Sequence, residues 1–300
     1  MSVAHASVER RALSRDLPIF VISLKRRTDR FLHMQTVLQS RGLTAQFIEA
    51  VDGHALSAAQ SAAYDRDKAL NVYGAEMNAA EIGCHLSHLK CYQAMLDQGH
   101  ETALVLEDDI ECDADFADLL DSILAAPRRD WLVLRLQSTK GEIINGDRPA
   151  TKGDRTQMFR GRTLSRVRAG VLGGCAYLIR REGAERMLRY ASRPFMPIDQ
   201  TMDRYWENGI QPYVLRPFPV RQSARISSEI STRKVKPPMS RRQTALRRAR
   251  RAADGVSKRA YALTRLGGWR RFTSPRPLFA ALAVSPLWQA ITALTEQTNG

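Results

Sequence analysis

The feature that most constrains this chain is an apolar run that ends on three carboxylates. Ala103-Leu-Val-Leu106 leads directly into Glu107-Asp108-Asp109. Such a run reads as a buried strand, and three adjacent acids repel one another unless a cation sits among them. In α/β sheets, ligands bind beyond the carboxyl ends of strands. Residues two apart in an extended chain face the same way, so Glu107 and Asp109 are expected to converge, with Asp108 turned away. Hard oxygen ligands suit Mn²⁺ or Mg²⁺, which keeps waters and takes its other ligands from phosphates. Such an ion stabilises a diphosphate leaving group. A solvated loop or an acidic helix start fits the same tripeptide, since Asp113 and Asp115 follow shortly.

The rest of the chain alternates strand-like and helix-like segments. Leu17–Leu24 reads as a first buried strand, 27–42 as a charged helix stopped at Gly42, and Ala45–Val51 as a second strand closed by Asp52-Gly53. Residues 54–74 are polar and irregular. Ala75–Leu96 has helical spacing, Thr102–Leu106 is the third strand, Asp115–Leu124 a helix and Trp131–Leu136 the fourth strand. Residues 138–169 read as a long loop or hairpin over the site. A strand at Cys175–Ile179, helices at Glu182–Tyr190 and Asp199–Asn208, and a strand at Pro212–Val220 complete the series. This order predicts an α/β fold with a mostly parallel sheet flanked by helices. No G-x-x-x-x-G-K-[ST] loop or G-x-G-x-x-G turn occurs, which disfavours a P-loop NTPase or a dinucleotide enzyme.

The charge is confined to one end. From Thr232 onward there are 15 Lys and Arg against two acids, so this segment holds +13 of the formal +15 and leaves residues 1–231 nearly neutral. Two regions are therefore expected: a catalytic or binding domain over 1–231 and a basic, helical extension over 232–300. Within the extension, 233–271 interleaves arginines with Ala, Leu, Val, Tyr and Trp, as a basic amphipathic helix at an anionic membrane surface does. A solvated tail is the plain alternative. Phosphate backbones attract the same charges, but no nucleic-acid-binding module accompanies them. Pro277–Leu294 carries no charge, yet its proline, serine and alanines suit an interfacial segment better than a span. The N-terminus lacks an apolar signal core, and the four cysteines form no C-x-x-C pair, so cytoplasmic residence with free thiols is the default expectation.

One helix bears potential metal ligands. Glu81, Cys84, His85 and His88 share a region, with Cys84 and His88 four apart. The H-E-x-x-H pattern is lacking and nothing nearby in sequence completes four ligands. Core histidines, or groups that orient a substrate, are the preferred reading over zinc.

Together these pieces resemble glycosyltransferase family 25, the lipooligosaccharide galactosyltransferase family. The matching residues are Ile22-Ser-Leu-Lys-Arg-Arg-Thr-Asp-Arg30, Ala50-Val-Asp-Gly53, Glu81-Ile-Gly-Cys-His-Leu-Ser-His88, Val105-Leu-Glu-Asp-Asp109, Gly173-Gly-Cys-Ala-Tyr177 and Pro197-Ile-Asp199, spread over roughly residues 17–225. The tail after Pro237 is not covered. The resemblance implies a GT-A-like fold, a UDP-sugar donor, and inverting transfer of galactose or glucose to a lipid-linked core oligosaccharide at the inner face of a bacterial inner membrane. Carried over, Ser23, Arg27 and Arg30 lie near the nucleotide. Glu107, Asp108 and Asp109 hold donor and metal, with Glu107 and Asp109 as the metal ligands, and Gly173 and Gly174 let the backbone approach the sugar. The sequence has E-D-D rather than a strict D-x-D, which leaves open which carboxylate takes the metal. Inversion needs a general base for the acceptor hydroxyl. Asp199 is the candidate, with Asp203 and Glu182 behind it; an N-cap is its structural alternative. The competing functional class is a glycosyltransferase-like binding protein without turnover, docked through its basic tail.

Overall fold

Strand β1 (Ile19–Ser23) shows how the sheet is built. Its side chains alternate between two hydrophobic clusters. Ile19 and Val21 join one with Met34 and Leu38; Phe20 and Ile22 join the other with Leu89, Tyr92 and Met95. Strand β3 (Thr102–Glu107) repeats the pattern, with Leu104 and Leu106 on the first side and Ala103 and Val105 on the second. Two-sided burial explains why these strands read as continuous apolar runs. Each fully buried Leu, Ile or Phe contributes on the order of 2 kcal/mol.

The computed structural model describes residues 14, 16–127, 130–139, 156–167, 170–224, 226 and 240–265. Two compact units are present, 1–253 and 254–300. Among the described residues, the helices of eight or more residues are α1 (Thr28–Gln39), α2 (Ala79–Asp97), α3 (Phe116–Leu124), α4 (Arg181–Ala191) and α5 (Arg241–Arg265). The remaining strands are β2 (Gln46–Glu49), β4 (Ile110–Cys112), β5 (Val133–Arg135), β6 (Thr156–Phe159), β7 (Arg162–Arg166), β8 (Ala176–Arg180), β9 (Pro212–Arg216) and β10 (Val220–Gln222).

Eight strands form one sheet in the order β2-β1-β3-β8-β5-β9-β7-β6, and β4 pairs with β10 in a small second sheet. The α/β expectation is met, and the fold fits a GT-A-like architecture. The sheet is mixed. β1 is parallel to β2 and β3, and β5 to β9, while β8 runs antiparallel between β3 and β5. The β6–β7 hairpin extends the far edge antiparallel to β9. α1 and α3 cover one face, and α2 and α4 the other.

Three local readings change. Residues 54–74 contain short helical turns rather than irregular chain, because Ser57 and Asp65 cap backbone N–H groups at their starts. The expected helix over 199–208 is two short helices, Ile198–Met202 and Tyr205–Asn208, separated at Asp203-Arg204. The expected strand over 212–220 breaks after Arg216, and its end supplies β10. Part of the predicted loop over 138–169 is the β6–β7 hairpin; residues 140–155 lie outside the described residues.

α2 is fixed by a capping box in which Asn78 and Glu81 satisfy each other's backbone N–H groups. The Val51–Gly53 loop is pinned to it: the Val51 N–H donates to Ser87 Oγ (2.8 Å), which donates to the Gly83 carbonyl (2.7 Å). A Cβ on Gly83 would lie 2.5 Å from the Val51 carbonyl oxygen, so only glycine permits this approach.

Candidate active site

The cleft lies beyond the carboxyl ends of β1 and β3. Ile22, Leu24, Arg30, Ala50–His54, Ala80, Cys84, Ser87 and all three carboxylates of Glu107-Asp108-Asp109 line it. Strand alternation directs the acids. Asp108 has the parity of Leu104 and Leu106 and faces α1, where Ser23 Oγ donates to Oδ2 (2.8 Å) and Arg30 Nη1 to Oδ1 (2.7 Å). Arg30 and Asp108 are both buried, so this charge-assisted clamp is held in low dielectric. Ser23, Arg30 and Asp108 are thus brought together. The Arg27 guanidinium, at the start of α1, binds Asp29 (2.7 Å).

Glu107 has the parity of Ala103 and Val105 and faces α2. Its Oε1 lies 3.3 Å from His88 Nε2 and 4.0 Å from Cys84 Sγ. His88 Nδ1 meets the Tyr177 hydroxyl (2.7 Å), which meets the Tyr92 hydroxyl (2.8 Å). Burial, then the charges of Asp108 and Asp199, push Glu107 up to about 7. The side chain is 26% exposed to the cleft, so solvent moderates the shift without reversing it. Burial holds His88 down to about 3, with the Arg135 charge acting the same way.

Asp109 sits in the turn between β3 and β4. Gln222 Nε2 donates to its Oδ2 (2.9 Å), and Ser223 N–H to its carbonyl oxygen (2.7 Å). Its Oδ1 is buried without a hydrogen-bond partner. Burial and the Glu107 charge raise Asp109 to about 6. An orphaned carboxylate oxygen beside a second carboxylate is what a divalent cation relieves, so the donor set fits the expected Mn²⁺ or Mg²⁺.

Segments 170–174 and 198–203 form a second wall beside the acidic strand end, next to the cleft lining. Gly173 has φ +79°, and its N–H donates to Asp199 Oδ2 (2.9 Å). Asp199 Oδ1 accepts from Gln200 N–H (2.8 Å). A Cβ built on Gly174 would lie 3.7 Å from Glu107 Oε1 and 3.8 Å from the Asp199 Cβ, which places the glycine pair and Asp199 beside the acidic strand end. Asp203 is buried, accepts from Leu172 N–H (2.9 Å) and is raised by that burial. Glu182 is at the wrong end. β8 pairs Ala176 with Leu106 and Arg180 with Thr102, so the residue after Arg181 lies across the sheet from Glu107. It pairs instead with Arg186 (2.5 Å).

Sequence reasoning missed Arg135. This fully buried side chain ends β5 on the α2 side, donates to the carbonyls of Gly173 and Asp199 (the latter at 3.0 Å), and lies 3.6 Å from Asp203 Oδ1. Its guanidinium also sits 5.9 Å from the centre of the Tyr177 ring. One cation therefore ties together both segments of the second wall. An arginine closing an apolar strand was the available signal.

A family model described as Glycosyltransferase family 25 (LPS biosynthesis protein) matches residues 16–202. The chain belongs to glycosyltransferase family 25. It is 28% identical over 221 residues to Procollagen galactosyltransferase 1 of Danio rerio, covering 70% of this chain and 35% of that protein. It is 35% identical over 139 residues to Procollagen galactosyltransferase 2 of Homo sapiens, covering 42% and 21%. It is also similar to the Inactive glycosyltransferase 25 family member 3 of Homo sapiens, at 27% over 192 residues, 61% of this chain and 30% of that one. The match spans about a third or less of these relatives' own length. Every cleft group from Ser23 to Asp199 falls inside the family region; the basic helix α5 falls outside it.

Proposed function

We propose that this chain transfers a hexose, galactose or glucose, from a UDP-sugar to a hydroxyl of a lipid-linked core oligosaccharide, with inversion at the anomeric carbon. The supporting observation is the acidic strand end: Asp108 clamped by Ser23 and Arg30, and Asp109 holding a buried, unpartnered oxygen. Glu107 and Asp109 would hold Mn²⁺ or Mg²⁺, which neutralises charge on the departing diphosphate. Ser23, Arg30 and Asp108 fix the nucleotide side of the cleft. Gly173 and Gly174 leave room for the sugar, since no Cβ intrudes between Glu107 and Asp199.

In the reaction, the acceptor oxygen forms a bond to the anomeric carbon as the bond from that carbon to the diphosphate oxygen breaks. UDP leaves with the electron pair, and the hydroxyl proton passes to Asp199. Two backbone N–H groups, from Gly173 and Gln200, orient this carboxylate.

The acceptor assignment rests on the family's description and on α5. This helix places nine Lys and Arg against one acid over 241–265, and each basic group near an anionic bilayer contributes about 1 kcal/mol. No described helix is long and apolar enough to cross a membrane, and Pro277–Leu294 lies outside the described residues. Peripheral attachment at the cytoplasmic face of a bacterial inner membrane follows as part of the proposal. Calorimetric titration with UDP-galactose and UDP-glucose tests the donor half. Binding should require Mn²⁺ or Mg²⁺ and vanish in Asp109→Ala; metal-independent binding, or none, would overturn it. The relatives named inactive favour a second reading, donor binding without turnover, which an acceptor assay separates.

A further inference from the structure

The donor reading uses oxygen ligands, and it leaves unexplained the two non-oxygen donors that face the same carboxylate. Cys84 and His88 lie one helical turn apart on α2, so their side chains project from one face. β3 ends opposite that face and delivers Glu107. The result is one sulfur, one nitrogen and one oxygen donor, all within 4.8 Å of one another.

We propose that Cys84, His88 and Glu107 form a second metal site, for a thiophilic divalent ion of the zinc class, which takes Glu107 through Oε1 and so shares this carboxylate with the oxygen-ligated Mn²⁺ or Mg²⁺ of the donor diphosphate. Three observations carry it. First, the His88 Nε2 to Glu107 Oε1 separation of 3.3 Å is long for an N–H···O hydrogen bond. It equals the edge of a tetrahedron, about 3.3 Å, when both ligands sit about 2.0–2.1 Å from zinc. The 4.0 Å from Oε1 to Cys84 Sγ exceeds the corresponding oxygen–sulfur edge by about half an ångström, a shift within reach of the half-buried cysteine.

Second, the ring of His88 is oriented from behind as a ligating histidine is. Its Nδ1 meets the Tyr177 hydroxyl, whose own proton can pass to Tyr92, leaving the Nε2 lone pair aimed at the donor cluster. The imidazole also stacks on Tyr177, with ring centres 5.7 Å apart, so it has little freedom to turn away. Third, the site opens to the cleft. Cys84 and Glu107 both line it while His88 is fully buried, so three protein ligands leave a fourth position facing bound substrate. Thiolate and imidazole together select zinc-like ions over Mg²⁺ and Mn²⁺. The fourth position would accept water or a substrate oxygen.

The proposal does not depend on the donor sugar or on turnover. The test uses the full chain stripped with chelator and titrated with Co²⁺ as a spectroscopic probe, with Zn²⁺ in competition. The expected result is one equivalent of Co²⁺ with a thiolate-to-cobalt charge-transfer band, displaced stoichiometrically by Zn²⁺. Cys84→Ala, a change at a half-buried position, should abolish the band, and His88→Gln should weaken Co²⁺ binding at least tenfold. Asp109→Asn should keep the band while losing Mn²⁺-dependent UDP binding, so failure of this site and failure of the donor reading are read separately. A folded wild-type chain that binds no Co²⁺, or a band that persists in Cys84→Ala, would overturn the proposal.

Discussion

Replacing Arg135 with methionine removes a buried cation that ties together the two segments of the second wall. The guanidinium donates to the Gly173 and Asp199 carbonyls and sits 3.6 Å from Asp203 Oδ1, an atom with no hydrogen-bond partner. Methionine matches much of the volume, so little of the loss comes from a cavity. It leaves Asp203 buried without a countercharge and two carbonyls without donors. Breaking a buried pair from one side costs about 3–5 kcal/mol. Urea unfolding of the full chain at neutral pH should show a loss of that order. Pairing Arg135→Met with Asp203→Asn should recover at least about 1 kcal/mol relative to additivity, because asparagine needs no countercharge yet still accepts from Leu172 N–H. Arg135→Lys, which cannot reach three acceptors with a fork, should remain destabilised. A loss below about 1 kcal/mol in Arg135→Met, or strict additivity in the double variant, would refute the view that this cation organises the wall.

Other outcomes follow from the same geometry. Gly173→Ala should cost about 1–3 kcal/mol and lower donor affinity, since a Cβ there lies 2.5 Å from Gln137 Oε1 on a backbone at φ +79°; thermal melts and UDP titration check both. Glu107, raised to about 7, and Asp109, raised to about 6, bind protons more tightly folded than unfolded. Their stabilising contribution is complete below their ordinary values and lost as pH rises through 6–7. Glu107→Gln should therefore stabilise the metal-free chain by about 1–3 kcal/mol at pH 8, and far less at pH 5, in paired urea melts. Arg30→Met should unclamp Asp108 and weaken UDP binding more than tenfold by calorimetry. Deleting residues 240–300 should abolish salt-sensitive sedimentation with anionic vesicles while leaving UDP binding intact.

How much of this was legible in the sequence depends on how local each signal is. β1 and β3 were readable because both faces are buried, which makes their residues uniformly apolar. The acids that follow β3 were readable because three like charges after such a run are rare without a cation. Alternation also sent Asp108 to the other side from Glu107; its pairing with Ser23 and Arg30 was not legible, because the resemblance placed these residues near the donor without pairing them and they lie 78–85 residues apart in sequence. Arg135 stayed hidden because its partners lie 38–68 residues away and nothing in Val-Leu-Arg marks them. Antiparallel β8 stayed hidden for a similar reason. Strand direction depends on how Cys175 and the α4 connection cross the sheet, and that crossing also removed Glu182 from consideration. The short turns that begin at 58 and 66 are held by the Ser57–Gln60 capping box and by the Asp65 cap, and are too brief to leave a periodic pattern.

The central claim, hexose transfer, is tested most directly by product. The full chain should be incubated with UDP-galactose or UDP-glucose, Mn²⁺ and lipid-linked core oligosaccharide, followed by mass spectrometry of the lipid and NMR of the new linkage. The account predicts a gain of one hexose in an inverted, β linkage, with UDP released in equal amount and neither product formed by Asp109→Ala. A chain that binds UDP with Mn²⁺ yet adds no hexose to any core acceptor would contradict it and leave a binding protein built on a transferase fold.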